Sequence, residues 1–172
     1  EYEDVVRAFE FANEAHKGVR RKSGEPYIIH PIAVAKIVVQ EIGLGYKSIV
    51  TALLHDIGHG PFSHVSEGVL SVPHEELTKY VVTKTSMRDL LEEKFDVNKI
   101  VDIVNGKGYL GPIVSGELDV DRMDYLLRDS YMSGVTYGHF DMSRILRTMR
   151  IYDDKLVYKI SGVQAIENYI IA

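Results

Sequence analysis

The stretch 51-TALLHDIGHGPFSH-64 decides how this chain is read. Its apolar helical run, Ala52, Leu53 and Leu54, delivers an adjacent His55–Asp56 pair to its own C-terminal end. Gly58 and Gly60 then break the helix and leave His59 and His64 on the loop that follows. Imidazole and carboxylate are the usual nitrogen and oxygen ligands for Zn, Mn or Fe, and neighbours at a helix end can share one ion. A His-Asp dipeptide alone is common by chance. Four titratable groups within ten residues, punctuated by glycine, are harder to explain as packing.

Outward from that stretch, composition sets the bounds. At 172 residues the chain fits a single domain, 1–172, with a sizeable core. A net charge of -5 argues against an extended nucleic-acid surface. With no cysteine, any metal must be held by His, Asp and Glu. No signal peptide and no membrane-length apolar run is evident, so the expectation is a cytoplasmic chain with no membrane partner.

The periodicity is mostly helical. Asp4 is placed to cap a first helix running to His16, with Val5, Ala8, Phe9, Ala12 and Ala15 on one face and Gly18 as its stop. Residues 18–28 form a basic loop. A second helix begins at Pro31 and ends at Gly43, and a third runs from Lys47 into His55–Asp56. Pro73 starts a helix holding His74 and Glu75, while Ser86 and Asp96 are read as caps of two short helices. GKGYLGPIVSG is read as loop, 117–132 as a long helix, and Asp141 as the cap of another. MRIYDDKLVYKI, residues 149–160, reads as a β-hairpin turning on Asp153–Asp154. A last helix ends in apolar Tyr169, Ile170 and Ile171, expected to pack back across the hairpin or join a second copy in a homodimer.

A second constellation lies in 117-ELDVDRMDYLLRDS-130. Asp121, Tyr125 and Asp129 recur every four residues and share a helical face, with Arg122 beside it. A solvated face of alternating charge is the plain reading. Against it, the helix is otherwise apolar, and buried acids need a metal or a base as partner.

At these residues the chain resembles the HD superfamily of metal-dependent phosphohydrolases. Its His…His-Asp…Asp ligand set maps onto His30, His55, Asp56 and Asp121, and implies an all-α helical bundle here joined by a small β-hairpin. Two branches are resembled. AFEFANEAHKGVRRKSGEPYIIHPIAVAKIV…ALLHD, about residues 8–55, is similar to the hydrolase domain of Rel/SpoT guanosine tetraphosphate enzymes. From HDIGHGPFSH onward, through SGELDVDRMDYLLRDS to VQAIENYIIA, it is similar to the deoxynucleoside triphosphate triphosphohydrolases. The chain thus reads as a mosaic, recombined or engineered, with a metal site completed across the junction. Departures exist on both sides. The Glu-Asp pair that follows HD in Rel/SpoT is replaced by IGHG, and the later Asn-Arg-Leu motif is missing. The triphosphohydrolases carry a longer insertion before HD and continue past this C-terminus.

The chemistry follows from the residue types. Phosphoester hydrolysis needs a strong nucleophile at neutral pH, which a divalent ion supplies by lowering the pKa of water. One such ion is expected, Mn favoured over Fe, Zn or Mg. His64 is the candidate general acid for the leaving oxygen, with Glu67 orienting it. His59 and Arg122 are placed against phosphate oxygens. By the triphosphohydrolase resemblance, Tyr125 and Asp129 face the sugar, and His74 with Glu75 borders the catalytic His. By the Rel/SpoT resemblance, Arg21, Lys22 and Ser23 are candidates for base or phosphate contact. Each has a plainer alternative: His30 can be a helix-start residue, His59 and His64 can stabilise the turn, and His74–Glu75 can be ordinary first-turn residues. His16 and His139 are read as packing or surface residues. A metallopeptidase is excluded, since His74-Glu75 lacks the second His of His-Glu-x-x-His.

The expectation is therefore a nucleotide phosphohydrolase, releasing triphosphate from a deoxynucleoside triphosphate. The alternatives are removal of 3′-pyrophosphate from guanosine tetraphosphate, or a scaffold that binds metal and nucleotide without turnover.

Overall fold

Five consecutive buried residues, Val50 to Leu54, put helix α3 (Tyr46–Leu54) at the centre of the fold. The C-terminal half of this helix is buried on every side, so other helices must enclose it. The one polar residue among those five, Thr51, bonds its hydroxyl back to the Lys47 carbonyl at 3.0 Å. In a computed structural model that describes residues 1–21, 23–59 and 72–172, α1 (Tyr2–Ala15) and α2 (Ile29–Lys36) pack directly on α3. A π-helical turn (Ile37–Glu41) extends α2 and ends at Gly43, whose φ of 79° suits glycine.

After residue 72 come α4 (His74–Lys84), α5 (Ser86–Glu92), α6 (Val97–Val104) and the short α7 (Gly111–Val114). Helix α8 (Val120–Ser133) returns to pack on α2, bringing its first turn to the N-terminal end of that helix. Val34, Val38, Val50, Ala52, Leu54, Val82, Ile113, Val120 and Met123 form one continuous core. The same core takes in Ile145 and Leu146 of α9 (Met142–Thr148), Met149 of strand β1 (Met149–Tyr152), which pairs with β2 (Lys155–Tyr158), and Ala165 and Tyr169 of α10 (Val163–Ile171). The hairpin pairs Met149 with Tyr158 and turns on Asp153 and Asp154, both at positive φ, the backbone a two-residue turn demands. No helix among the described residues is long and apolar enough to cross a membrane.

The helical architecture with a small hairpin is as expected, but several local assignments change. Asp4 does not cap α1. It lies inside the helix, buried, and accepts a 2.8 Å bond from Lys94. The inward stripe of α1 is Asp4, Ala8, Ala12 and then His16, all four apart, so Phe9 and Ala15 face out. Helix α2 starts at Ile29, two residues before Pro31, because a first-turn proline has no intrahelical N–H bond to lose. Thr85, not Ser86, caps α5. Helix α8 begins at Val120 because the Asp119 carboxylate accepts from the Arg122 and Gly116 amides and ends the preceding turn. Residues 111–114, expected as loop, form a single helical turn. In α10, Tyr169 packs edge-on against Phe140, while Ile170 and Ile171 are exposed.

Candidate metal centre

Three elements bring the four expected ligands together. His30 occupies the first turn of α2, His55 the C-cap of α3 with Asp56 next, and Asp121 the first turn of α8. One ligand atom from each lies within 4.8 Å of all the others. Bound at about 2.0–2.3 Å, four atoms around one ion stand about 3–4.5 Å apart, so the set is close to its coordinating geometry. The ligand faces are also correctly turned. His55 Nδ1–H donates to the Ala52 carbonyl at 2.7 Å, which leaves the Nε2 lone pair facing inward. That Nε2 is buried with no hydrogen-bond partner, the situation of an atom shaped for a cation. It lies 3.4 Å from Asp56 Oδ1 and 3.7 Å from Asp121 Oδ1.

His30 is held from behind. Its Nδ1 is 2.7 Å from Asp124 Oδ2, while Nε2 faces Asp121 Oδ1 at 2.6 Å and Asp56 Oδ2 at 3.5 Å. A carboxylate behind a ligating imidazole fixes its tautomer and strengthens its basicity. Asp124 is in turn gripped by Arg128 at 2.8 and 3.1 Å, and Arg128 reaches Glu25 at 3.3 Å. Burial disfavours an imidazolium at His30, but bonds to Asp121, Asp124 and Asp56 outweigh it and hold its pKa up at about 11. Three carboxylates around one ring collect a positive charge, here a proton, at the place where an ion binds. Burial works against the charge on Asp121 and Asp56 too, yet the two imidazoles keep both below the ordinary carboxylate range. Tyr27, its ionisation opposed by burial and by Asp56, donates its hydroxyl to Asp56 Oδ2 at 2.9 Å.

The remaining expected residues gather around this centre in varying degrees. His59 sits one turn past Asp56, its amide bonded to the Asp56 carbonyl at 2.8 Å and its ring stacked on Tyr27. His74, first residue of α4, faces His59 with ring centroids 4.7 Å apart, and Glu75 Oε1 is 3.5 Å from its Nε2. Arg21 pairs with Asp129 at 3.1 Å, so two residues read as substrate contacts hold each other. Arg122 lies 3.7 Å from Glu117, and Ser23 is exposed. Lys22, His64 and Glu67 lie outside the described residues.

Several participants escaped the sequence reading. Asp124 lies off the four-residue rhythm of Asp121, Tyr125 and Asp129. Its signal was present as the i+3 neighbour of Asp121 and an i,i+4 acid–base pair with Arg128. Thr78 ties α4 to the HD turn, accepting from the Gly58 amide at 3.0 Å and donating to the His55 carbonyl at 3.2 Å. His16, by contrast, takes the packing role expected of it, buried against the Tyr27 ring with neither nitrogen hydrogen-bonded.

An imidazole–carboxylate centre inside a helical bundle defines a metal-binding helical domain, and the comparisons say which. The HD domain family profile matches residues 27–129, and the chain belongs to that family. It is 42% identical over 130 residues to the uncharacterized protein YwfO of Bacillus subtilis, covering 72% of this chain and 30% of that one. A match of that extent crosses residues 51–64. A guanosine-3′,5′-bis(diphosphate) 3′-pyrophosphohydrolase of Aquifex aeolicus is 52% identical over 54 residues, 31% of this chain and 8% of that protein. In three dimensions the chain resembles a hypothetical protein of Aquifex aeolicus, with TM-score 0.80 and 31% identity over 98% of this chain and 53% of that one. It also resembles a phosphohydrolase of Bacteroides thetaiotaomicron, with TM-score 0.69 and 28% identity over 98% of this chain and 47% of that one. The match thus spans 30% of YwfO, 8% of the pyrophosphohydrolase and about half of each of the two solved structures.

Proposed function

We propose that this chain forms the catalytic core of a metal-dependent nucleotide phosphohydrolase that releases triphosphate from a deoxynucleoside triphosphate. The observation that supports it most is the buried His30, His55, Asp56 and Asp121 set, with one imidazole nitrogen left unpartnered inside it. A divalent ion, Mn favoured, supplies the acidified water that phosphate hydrolysis needs at neutral pH. The four ligands and the ion sum to near neutrality, which leaves the charge of the substrate to be met by other groups. His59 and Arg122 meet phosphate oxygens, and Tyr125 and Asp129 lie one and two turns beyond Asp121 on α8. At 1.5 Å per residue those turns place them about 6 and 12 Å along the helix from the metal, a span suited to a nucleoside attached to the reacting phosphate. Water oxygen adds to the α-phosphorus, the bond to the sugar oxygen breaks, and His64 gives that oxygen its proton, oriented by Glu67. His74 and Glu75 border this proton path.

A second reading is favoured by the segment similar to the Aquifex aeolicus pyrophosphohydrolase: removal of 3′-pyrophosphate from guanosine tetraphosphate, with Arg21, Lys22 and Ser23 against the base. Product analysis after incubation with each nucleotide and Mn separates the two. Triphosphate with free deoxynucleoside supports the first, and pyrophosphate with guanosine 5′-diphosphate the second. Metal uptake without any phosphate release refutes both and leaves a binding scaffold. His64→Ala is expected to keep its metal and lose about 10²–10⁴-fold in turnover. Loss of the metal in that variant refutes the division between ligands and acid.

A further inference from the structure

We infer that Tyr27 is a positioning residue of the metal centre: its hydroxyl occupies Oδ2 of Asp56 and so holds that carboxylate to one oxygen, Oδ1, toward the ion. The inference rests on the four-residue centre being a metal site. The two acids of that centre differ. Asp121 presents one oxygen, Oδ1, to both imidazoles, at 2.6 Å from His30 Nε2 and 3.7 Å from His55 Nε2. Asp56 borders the set with both of its oxygens, Oδ1 at 3.4 Å from His55 Nε2 and Oδ2 at 3.5 Å from His30 Nε2. A carboxylate placed so can chelate with two oxygens. Tyr27 tells them apart by donating to Oδ2 at 2.9 Å. Oδ1 is left facing His55 Nε2, the nitrogen of the set that is buried without a hydrogen-bond partner.

The phenol is held as a fixed donor. Its backbone is fastened on both sides, the Tyr27 amide donating to the Val19 carbonyl and the Tyr27 carbonyl accepting from the His30 amide, each at 3.0 Å. Three histidine rings enclose the side chain, with centroids 4.8 Å away for His16, 5.4 Å for His59 and 5.9 Å for His30. His16 is buried with neither nitrogen hydrogen-bonded, an unfavourable place for an imidazole. Its service there is contact with the Tyr27 ring, which it ties to the packing of α1 on α3 as the C-cap of α1. The consequence lies in the places left on the ion. Mn takes about six ligands. Two imidazoles and one oxygen from each acid leave about two places, whereas a chelating Asp56 leaves about one. Hydrolysis on a single ion draws on both, one for a phosphate oxygen and one for water. Tyr27 therefore reserves a place for a reactant without touching it.

The test adds Mn alone, in sub-stoichiometric amount, to the chelator-stripped chain and reads exchangeable water on the bound ion by water-proton relaxation. About two waters are expected on the wild type. Tyr27→Phe keeps the ring and its histidine contacts and removes only the donor. It is expected to bind Mn and to show about half the wild-type relaxation enhancement, as Oδ2 turns onto the ion. A role in packing alone would leave that reading unmoved. Wild-type enhancement in Tyr27→Phe therefore overturns the inference and leaves the centre standing. So does a reading of about one water on the wild type, a result that needs no variant to fold. Loss of Mn from a Tyr27→Phe chain with an unchanged urea midpoint also overturns it, since the hydroxyl then holds the ion rather than limiting Asp56. No Mn on the wild type removes the four-residue centre and the inference together.

Discussion

Replacing Asp124 by Asn tests whether the charge behind His30 serves the metal centre. The substitution keeps the shape of the side chain and removes its charge. The wild-type carboxylate accepts from His30 Nδ1 at 2.7 Å and from Arg128 at 2.8 and 3.1 Å. An amide has one acceptor oxygen and two donors, so with its oxygen kept at the Oδ2 position the charge is lost and its N–H groups are turned toward the Arg128 cation that Oδ1 had accepted from. Loss of a carboxylate behind a ligating His typically lowers metal affinity about 10–100-fold, or about 1.4–2.8 kcal/mol. Folding stability falls as well, since Arg128 is left with only Glu25 at 3.3 Å. Breaking a fully buried pair costs about 3–5 kcal/mol. The Arg128 side chain is 18% exposed and keeps that second acid, so about 2 kcal/mol is the expected loss. Mn affinity measured by competition with a chelating dye reads the first effect, and urea unfolding of the apoprotein reads the second. Arg128→Gln is expected to weaken Mn binding less than Asp124→Asn does, because it acts one bond further out. Affinity of Asp124→Asn within twofold of wild type, with Asp121→Asn losing the metal, refutes the reasoning and shows His30 oriented by packing alone.

Two further outcomes are expected. A Cβ at Gly58 would run into the Thr78 amide and hydroxyl and the His74 carbonyl, so Gly58→Ala is expected to cost about 1–3 kcal/mol and push α4 off the HD turn; an unchanged urea midpoint refutes that close approach. Burial holds His16 neutral with a pKa of about 4 in the fold, against about 6.5 in the unfolded chain. The unfolded state therefore binds the extra proton, and stability drops as pH falls from 6.5 towards 4, by up to about 3 kcal/mol. His16→Phe is expected to flatten that acid limb in unfolding curves at pH 4.5 and 7.5, and an equally steep limb in the variant refutes the assignment.

Much of the site was legible because its spacing is local. His55 and Asp56 are adjacent, glycines end their helix, and Asp121 lies on a helix whose apolar residues mark the buried side. Helix type and hairpin were legible for the same reason, as apolar periodicity and turn residues act within a few positions. The sequence by itself determined the helical class, the HD turn and the identity of the candidate ligands. Only the tertiary structure decided which acids share His30, because α2 and α8 are 90 residues apart and their registry is set by packing. Packing also rotated α1 so that buried Asp4 meets Lys94 and His16 meets Tyr27, a choice its own apolar pattern did not force. It decided as well that Thr78 brings His74 to His59, since a hydroxyl bridging two backbone groups leaves no trace in the periodicity of either helix.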